Sequence, residues 1–364
     1  MRLKAAALAL PVIVLVATAP GITAEVTRTL RVELSPDALQ HFAVENLAGT
    51  MRVTTGTVRT VVAVATVHAE SDDLAKAVTF EQVMGKTGVP TLRVRYPLDS
   101  ERTLRYPGRG KRVDLLGSMF GGSSTSAEYD DHRVKISDTK GVLLYADVEV
   151  QVPRHLTDAT FRNLVGSLEA KDLEGKIKLD TSSGDITADR VRGEIKADTG
   201  SGDVKAGDMG GSFTCDTGSG DCDLAGFNGE TIHCDVGSGD VTIRKASARL
   251  VDVDTGSGDV HVLEADVEEL RADTGSGDVH LQERGHRLAR VKADTGSGDV
   301  VLRLGPDASF EALADQGSGD IIMGYTDAQA IVRHKEVVGY RRGDARVRID
   351  VDTGSGDLTI EPGA

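Results

Sequence analysis

The sequence has no tryptophan and only 4% aromatic residues over its 364 positions, which excludes a large globular core built on packed rings. Basic residues are in deficit, with 42 Lys and Arg against 57 Asp and Glu and a formal charge of −15. Nucleic acid and anionic membrane surfaces are therefore excluded as partners, because binding to phosphates rests on clustered cations. Beyond Val16 no apolar run approaches the ~20 residues that a membrane-spanning helix needs. Nucleophile, histidine and acid occur at no recognisable catalytic spacing, and no glycine-rich loop opens a helix to cradle phosphate. What remains is 39% hydrophobic residues, mostly small and branched, with 42 glycines. That balance predicts a thin core of Val, Ile, Leu and Ala.

The sequence is instead rich in one phrase, Asp-Thr-Gly-Ser-Gly-Asp followed by an apolar residue. Copies begin at Asp180, Asp198, Asp216, Asp235, Asp254, Asp273, Asp294, Asp315 and Asp352, at steps of 18, 18, 19, 19, 19, 21, 21 and 37 residues. A fixed period near 20 predicts a solenoid. Three places before the first Asp stand Ile177, Ile195, Phe213, Ile232, Val251, Leu270, Val291, Ala312 and Ile349. One place before it stand Leu179, Ala197, Cys215, Cys234, Val253, Ala272, Ala293, Ala314 and Val351, and the residue between is mostly polar. Apolar positions six and eight places after the Asp, such as Val260 and Val262, repeat the alternation, so each coil reads strand, Gly-Ser-Gly bend, strand and a looser turn. The glycines are expected to supply backbone angles that other residues resist. A coil of this length cannot bury a core alone: an inward apolar side chain contributes ~2 kcal/mol against about 1 kcal/mol or more of ordering cost per residue. Coils stacked ~4.8 Å apart turn each apolar column into a continuous stripe. The fold class expected is all-β, a single-stranded, β-helix-like solenoid.

Residues 1–24 have the layout of a secretory signal: Met1-Arg2-Leu3-Lys4, an apolar run from Ala5 to Val16, then small and polar residues to a cut after Ala24. Residues 25–160 form a β-rich N-terminal part. In it Asn46-Leu47-Ala48-Gly49-Thr50-Met51-Arg52-Val53 matches Asn163-Leu164-Val165-Gly166-Ser167-Leu168-Glu169-Ala170 in type, so the solenoid is expected to begin with degenerate coils. Ser71-Asp72-Asp73 is expected to cap one short helix through Ala77. Residues 97–141 hold Arg102, Arg105, Arg109, Lys111 and Arg112 among Gly and Pro, then Gly121 to Ser126, and are expected to be a mobile loop. The regular solenoid is assigned to residues 161–364, with an insertion at 325–348 that helps close its C-terminal end.

The repeated carboxylates raise a metal question. Calcium-binding roll repeats place Gly-Gly-x-Gly-x-Asp at about half this period, whereas here Gly-x-Gly-Asp occurs once per coil. Asp198, Asp203, Asp216, Asp221, Asp254, Asp259, Asp273, Asp278, Asp294 and Asp299 are the candidate ligands if calcium binds, and the expectation is a fold with no cofactor that does not need it. His261 and His280 share an outward column and are read as solvated, with a two-histidine metal site as the other reading. Asp-Thr-Gly-Ser is also the phrase around the catalytic Asp of pepsin-like proteases, but six full copies at coil spacing are structural. Cys215 and Cys234 occupy one column of adjacent coils and are the disulfide candidate, with free buried thiols as the alternative.

The Ser-Gly-Asp phrase, as in Asp180-Thr181-Ser182-Ser183-Gly184-Asp185, preceded by Gly-x-apolar-x-apolar and with a signal in front, resembles the bacterial putative-adhesin family of unknown function. The resemblance covers most of the mature chain, most strongly from Asn163. It implies a β-solenoid outside the cytoplasm and carries over no catalytic residue. The function expected is a non-enzymatic adhesin-like binding or scaffold protein, exported to the periplasm, cell surface or medium, with an envelope glycan or protein as its ligand. A calcium-binding solenoid and an enzyme acting on envelope glycans are the alternatives.

Overall fold

The computed structural model describes residues 25–34, 40–85, 88–109, 124–154 and 158–363. The signal segment lies outside the described residues, as do Lys111, Arg112 and Gly121 to Ser123 of the basic and glycine-rich stretch. The chain divides into two compact units, one ending at Thr187 and one beginning at Ala188.

In the second unit the coils stack as parallel strands in register. Strands Val204–Thr217, Cys222–Val236, Val241–Thr255 and Val260–Thr274 each run from one Gly-Ser-Gly bend to the next. Their columns meet as the periodicity requires, with Cys215 opposite Cys234, Val241 opposite Val260 and Val253 opposite Ala272. All of the residues three places before the phrase are buried, from Ile195 to Ile349. The looser turn is a kink inside a continuous strand, placed at a left-handed residue: Asp208 (φ 50°), Gly226 (φ 78°), Lys245 (φ 56°) and Glu264 (φ 54°).

One expectation about the bend needs correction. The glycines of the later phrases do not adopt the left-handed angles expected of them; they are required by stacking. A Cβ on Gly277 would sit 2.0 Å from the Gly258 carbonyl oxygen one coil earlier, and one on Gly298 would sit 1.9 Å from that of Gly277. The threonine after the first Asp points inward: Thr217, Thr255, Thr274, Thr295 and Thr353 are all buried. Thr217 Oγ1 donates to Gly202 O (3.1 Å), Thr255 to Gly239 O (3.1 Å), Thr274 to Gly258 O (2.9 Å) and Thr295 to Gly277 O (2.9 Å), so these four satisfy a carbonyl of the preceding bend, while Thr353 donates to Gly356 O of its own bend (2.9 Å).

The stacking order departs from the chain order at the C-terminal end. Strand Val347–Thr353 lies between Arg290–Thr295 and Phe310–Gln316, pairing Asp294 with Asp352 and Asp352 with Asp315. The coil of Asp315 is therefore the outer one, although it precedes the coil of Asp352 in sequence. Its Ala314, Ile321 and Met323 are only half-buried, whereas Val351, Leu358 and Ile360 are buried. The insertion forms a hairpin, Gln329–Arg333 with Glu336–Arg342, whose second strand runs antiparallel along Phe310–Leu313. It covers one outer edge, as expected of an end-closing segment.

The first unit begins with the degenerate coil read from the Asn46 and Asn163 match. Strands Phe42–Ala48 and Met51–Thr55 stack on Asp158–Val165 and Leu168–Lys171, with Asn46 opposite Asn163 and Met51 opposite Leu168. Both asparagines are fully buried. Asn46 Nδ2 donates to Asn163 Oδ1 (2.9 Å) and to Ala146 O (2.8 Å), and Asn163 Nδ2 donates to Gly49 O (2.7 Å). The intervening segment supplies covering strands. Val142–Val152 pairs with Met51–Thr55 and with Val62–Ala69, which pairs with Val26–Glu33. Helix Asp72–Ala77 forms where expected, with Ser71 Oγ accepting from the Leu74 amide at 3.3 Å.

The loop expected over residues 97–141 is corrected within its described part. Strands Thr103–Arg105, Ser124–Tyr129 and His132–Ser137 occupy it. The hairpin turns at Asp130 and Asp131, both left-handed (φ 49° and 62°), the two-residue geometry that suits the twist of a hairpin. Ala127, Tyr129, Val134 and Ile136 are its buried face. The alternation is too short to stand out beside the Gly and Ser run. Of the basic cluster, Arg102 is exposed and Arg105 half-buried.

Candidate functional site

In the first unit neighbouring parallel strands place Arg93, Glu45, Arg162 and Asp180 side by side in one row. Glu45 is in register with Arg93 and with Arg162, and Arg162 with Asp180, so the signs alternate across the sheet. Opposite charges directly across a strand pair stabilise it, and like charges do the reverse. Arg93 is held by Glu45 at 2.9 Å and by Asp130 of the hairpin at 2.7 Å. Arg162 binds Asp180 at 3.0 Å and lies 3.7 Å from Glu45, while Lys178 reaches Asp180 at 2.9 Å. The Tyr129 ring lies 5.6 Å from the Arg93 guanidinium, and its hydroxyl donates to Val94 O at 2.7 Å.

Row and hairpin enclose a cleft of about 370 Å³. Arg162 and Lys178 are its accessible cations, with side chains 43% and 37% exposed, against 15% for Arg93 and 14% for Glu45. Burial works against charging Asp180, but Arg162 and Lys178 outweigh it and hold the carboxyl below its usual range. Burial likewise opposes the Arg93 charge, and Glu45 more than restores it. Tyr129 is pushed well above the usual phenol range by burial. Each of these groups is locked in one protonation state near neutral pH. The cleft therefore offers fixed donors and acceptors to a polar ligand.

The cleft was not singled out from the sequence, although one signal for it was present. Aligning Asn46 with Asn163 also sets Glu45 against Arg162.

The sequence-predicted aspartates lie in the second unit, and both of their columns face outward. The second column forms an unbroken ladder in which each carboxylate accepts the amide of its counterpart in the next coil. Asp221 N donates to Asp203 Oδ1 (3.3 Å), Asp240 N to Asp221 Oδ1 (3.1 Å), Asp259 N to Asp240 Oδ1 (2.9 Å) and Asp278 N to Asp259 Oδ1 (2.8 Å). The ladder continues from Asp299 N to Asp278 Oδ1 (2.8 Å), Asp357 N to Asp299 Oδ1 (2.9 Å) and Asp320 N to Asp357 Oδ1 (2.8 Å), in the rearranged coil order. In the first column Lys196 bonds Asp216 at 3.1 Å and lies 3.6 Å from Asp198. Asp254, Asp273 and Asp294 continue that column in register. Among the described residues no group of three or more His, Cys, Asp or Glu is placed to hold a metal ion. His261 and His280 are half-buried neighbours, in register, with ring centroids 5.0 Å apart.

Cys215, Cys222 and Cys234 are free and buried. Cys215 and Cys234 share a column as expected, and a sulfur contact of 3.8 Å joins Cys222 and Cys234, with Cys215 beside them.

Among the described residues no helix is long and apolar enough to cross a membrane. No curated protein matches the chain. Solved structures that resemble it include a putative lipid binding protein from Parabacteroides distasonis, 10% identical with a TM-score of 0.42, covering 92% of this chain and 96% of that one. A putative adhesin from Parabacteroides merdae is 11% identical with a TM-score of 0.37, covering 92% of this chain and 95% of that one. A putative cell adhesion protein from Clostridium sporogenes is 8% identical with a TM-score of 0.22, covering 93% of this chain and all of that one. Likenesses at these scores carry no argument about what this chain binds. The Toastrack DUF4097 family model matches residues 146–361, more than half of the sequence, and the chain belongs to that family.

Proposed function

We propose that this protein is a non-enzymatic, exported binding or scaffold protein that contacts a polar ligand of the cell envelope, a glycan or a protein, through the cleft of its first unit. The observation that carries the reading is the alternating row Arg93, Glu45, Arg162 and Asp180 beneath the Tyr129–His132 hairpin. Its charges are matched to one another, so a ligand meets a preset pattern of donors and acceptors. Arg162 and Lys178 are the side chains a ligand reaches first. The second-column aspartates are engaged along the stack, which favours a scaffold role for that column over a calcium site.

A glycan array run beside a hydrolysis screen on envelope glycans tests the reading. Binding without turnover, weakened at least tenfold by Lys178→Ala in a variant that melts within a few degrees of the parent, is the expected result. Turnover of any bound glycan would move the protein to the enzymatic alternative. Cell fractionation with an antibody tests export, for which a purely cytoplasmic pool would be decisive against it.

A further inference from the structure

Cysteine occurs in this chain only at three inward positions of two successive coils. Alanine and valine fill the same columns in the neighbouring coils: Ala197 and Val253 flank the Cys215 and Cys234 column, and Val204 and Val241 flank Cys222. The space thus does not demand a thiol. Cys222 and Cys234 lie near the two ends of one strand, Cys222–Val236, which bends at the left-handed Gly226 and returns so that its ends face each other across the thin core. Their sulfurs are 3.8 Å apart. Cys215 and Cys234, by contrast, sit side by side on parallel strands in register, where the Cβ directions run alongside each other and suit a disulfide poorly.

We propose that Cys222 and Cys234 form a disulfide across the interior of this single coil, leaving Cys215 as a reduced, buried thiol. The two thiols lose two protons and two electrons to an external disulfide, which is reduced to two thiols by exchange through a mixed-disulfide intermediate. All three cysteines are 0% exposed, so the exchange takes place while the coil is closing rather than after it has closed. The bond ties one coil to itself, fixing the length of chain that must wrap the core before the next coil can stack.

Reduced, unfolded full-length protein refolded with a mixture of oxidised and reduced glutathione, then alkylated and digested without reduction, tests the pairing. Cleavage before Asp216, Asp221, Asp223 and Asp235 places the three cysteines in separate peptides. The expected product joins the Asp221–Cys222 peptide to the Asp223–Cys234 peptide, with Cys215 alkylated, and Cys215→Ser gives the same link. Protein refolded in excess reductant should melt roughly 5–10 °C lower than protein refolded with the glutathione mixture, from the usual worth of a disulfide and its effect on melting. A Cys215–Cys234 link, or three alkylated cysteines in protein that has refolded, overturns the proposal.

Discussion

Each glycine of the later bends is constrained by a neighbour one coil away. A methyl group on Gly277 would lie 2.0 Å from the Gly258 carbonyl oxygen, a backbone atom that cannot move without disturbing the ladder. Gly277→Ala is expected to cost about 2–3 kcal/mol, the upper part of the range for overpacking a tight interior, because the clash is with backbone. Ser276, between the two glycines and exposed, should tolerate alanine within about 0.5 kcal/mol. Thr274→Val keeps the shape but leaves the Gly258 carbonyl without its 2.9 Å donor, so about 1–2 kcal/mol is expected. Urea titrations should rank the losses Gly277→Ala first, then Thr274→Val, then Ser276→Ala, and equal midpoints for Gly277→Ala and Ser276→Ala would remove the stacking explanation. Both demands are written in every full copy of the phrase. They were hidden because a Gly-Ser-Gly bend reads equally well as a turn needing special angles, and nothing in a single coil shows which atom lies above it.

At the scale of elements, apolar columns were legible and the order of coils was not. Periodicity reports which side chains face inward, and a coil inserted out of turn has the same periodicity as one in sequence. One clue was available: the outer copy, Asp315-Gln316-Gly317, has a glutamine where every other copy has threonine or, at Val236, an apolar residue, and the inserted copy, Asp352-Thr353-Gly354, keeps the threonine. Hydrogen exchange distinguishes the two orders. Amides of Leu358–Ile360, near the end of the chain, should exchange at least tenfold more slowly than those of Ile321–Met323, whose strand pairs along Leu358–Ile360 at the outer coil. The reverse ranking would restore the chain order. The charged row in the first unit was hidden for a related reason, since its in-register partners Glu45 and Arg162 come from strands far apart in the chain.

Three strands of the first unit meet at His68. Its Nδ1 lies 2.5 Å from Glu25, at the start of the first strand, and its Nε2 lies 3.4 Å from Asp147 on Val142–Val152, with the ring stacked on Tyr145 at 4.5 Å. Burial works against its charge, but the bonds to Asp147 and Glu25 outweigh it and raise the pKa above 6.5. The contribution of His68 is therefore complete below about 6.5, its unfolded value, and fades as pH rises through the raised folded value. Asp147 moves the other way. Burial opposes its charge, but His68 and the Thr50 amide hold it below 3.8, so its share is complete above that value and fades as acid protonates the folded carboxyl. From about pH 6 to 8 the parent should lose stability relative to His68→Gln, whose side chain does not titrate. Parallel melting curves across that interval would show that the ion pairs add nothing.

Over the whole molecule the formal charge is −15, and the second unit lines up aspartates along its coils. Adjacent carboxylates ~4.8 Å apart repel by about 0.9 kcal/mol in water and by about 3.5 kcal/mol at an effective dielectric of 20. The outward placement of both columns selects the lower figure, with salt screening over about 8 Å. Against it stands a favourable term that the periodicity alone did not reveal: from Asp203 to Asp357 each second-column carboxylate accepts the amide of the next coil, and an ionised acceptor makes such a bond stronger than a neutral one. Repulsion and hydrogen bonding thus act on the same rung, and the stack is expected to stand without a bridging cation. Purified protein in chelator should keep its β-sheet circular dichroism and melt cooperatively. Added calcium should raise the melting temperature by no more than a few degrees, an increment that monovalent salt at physiological strength largely removes. Unfolding in chelator, reversed by calcium and not by monovalent salt, would show instead that the ladder needs an ion to stand.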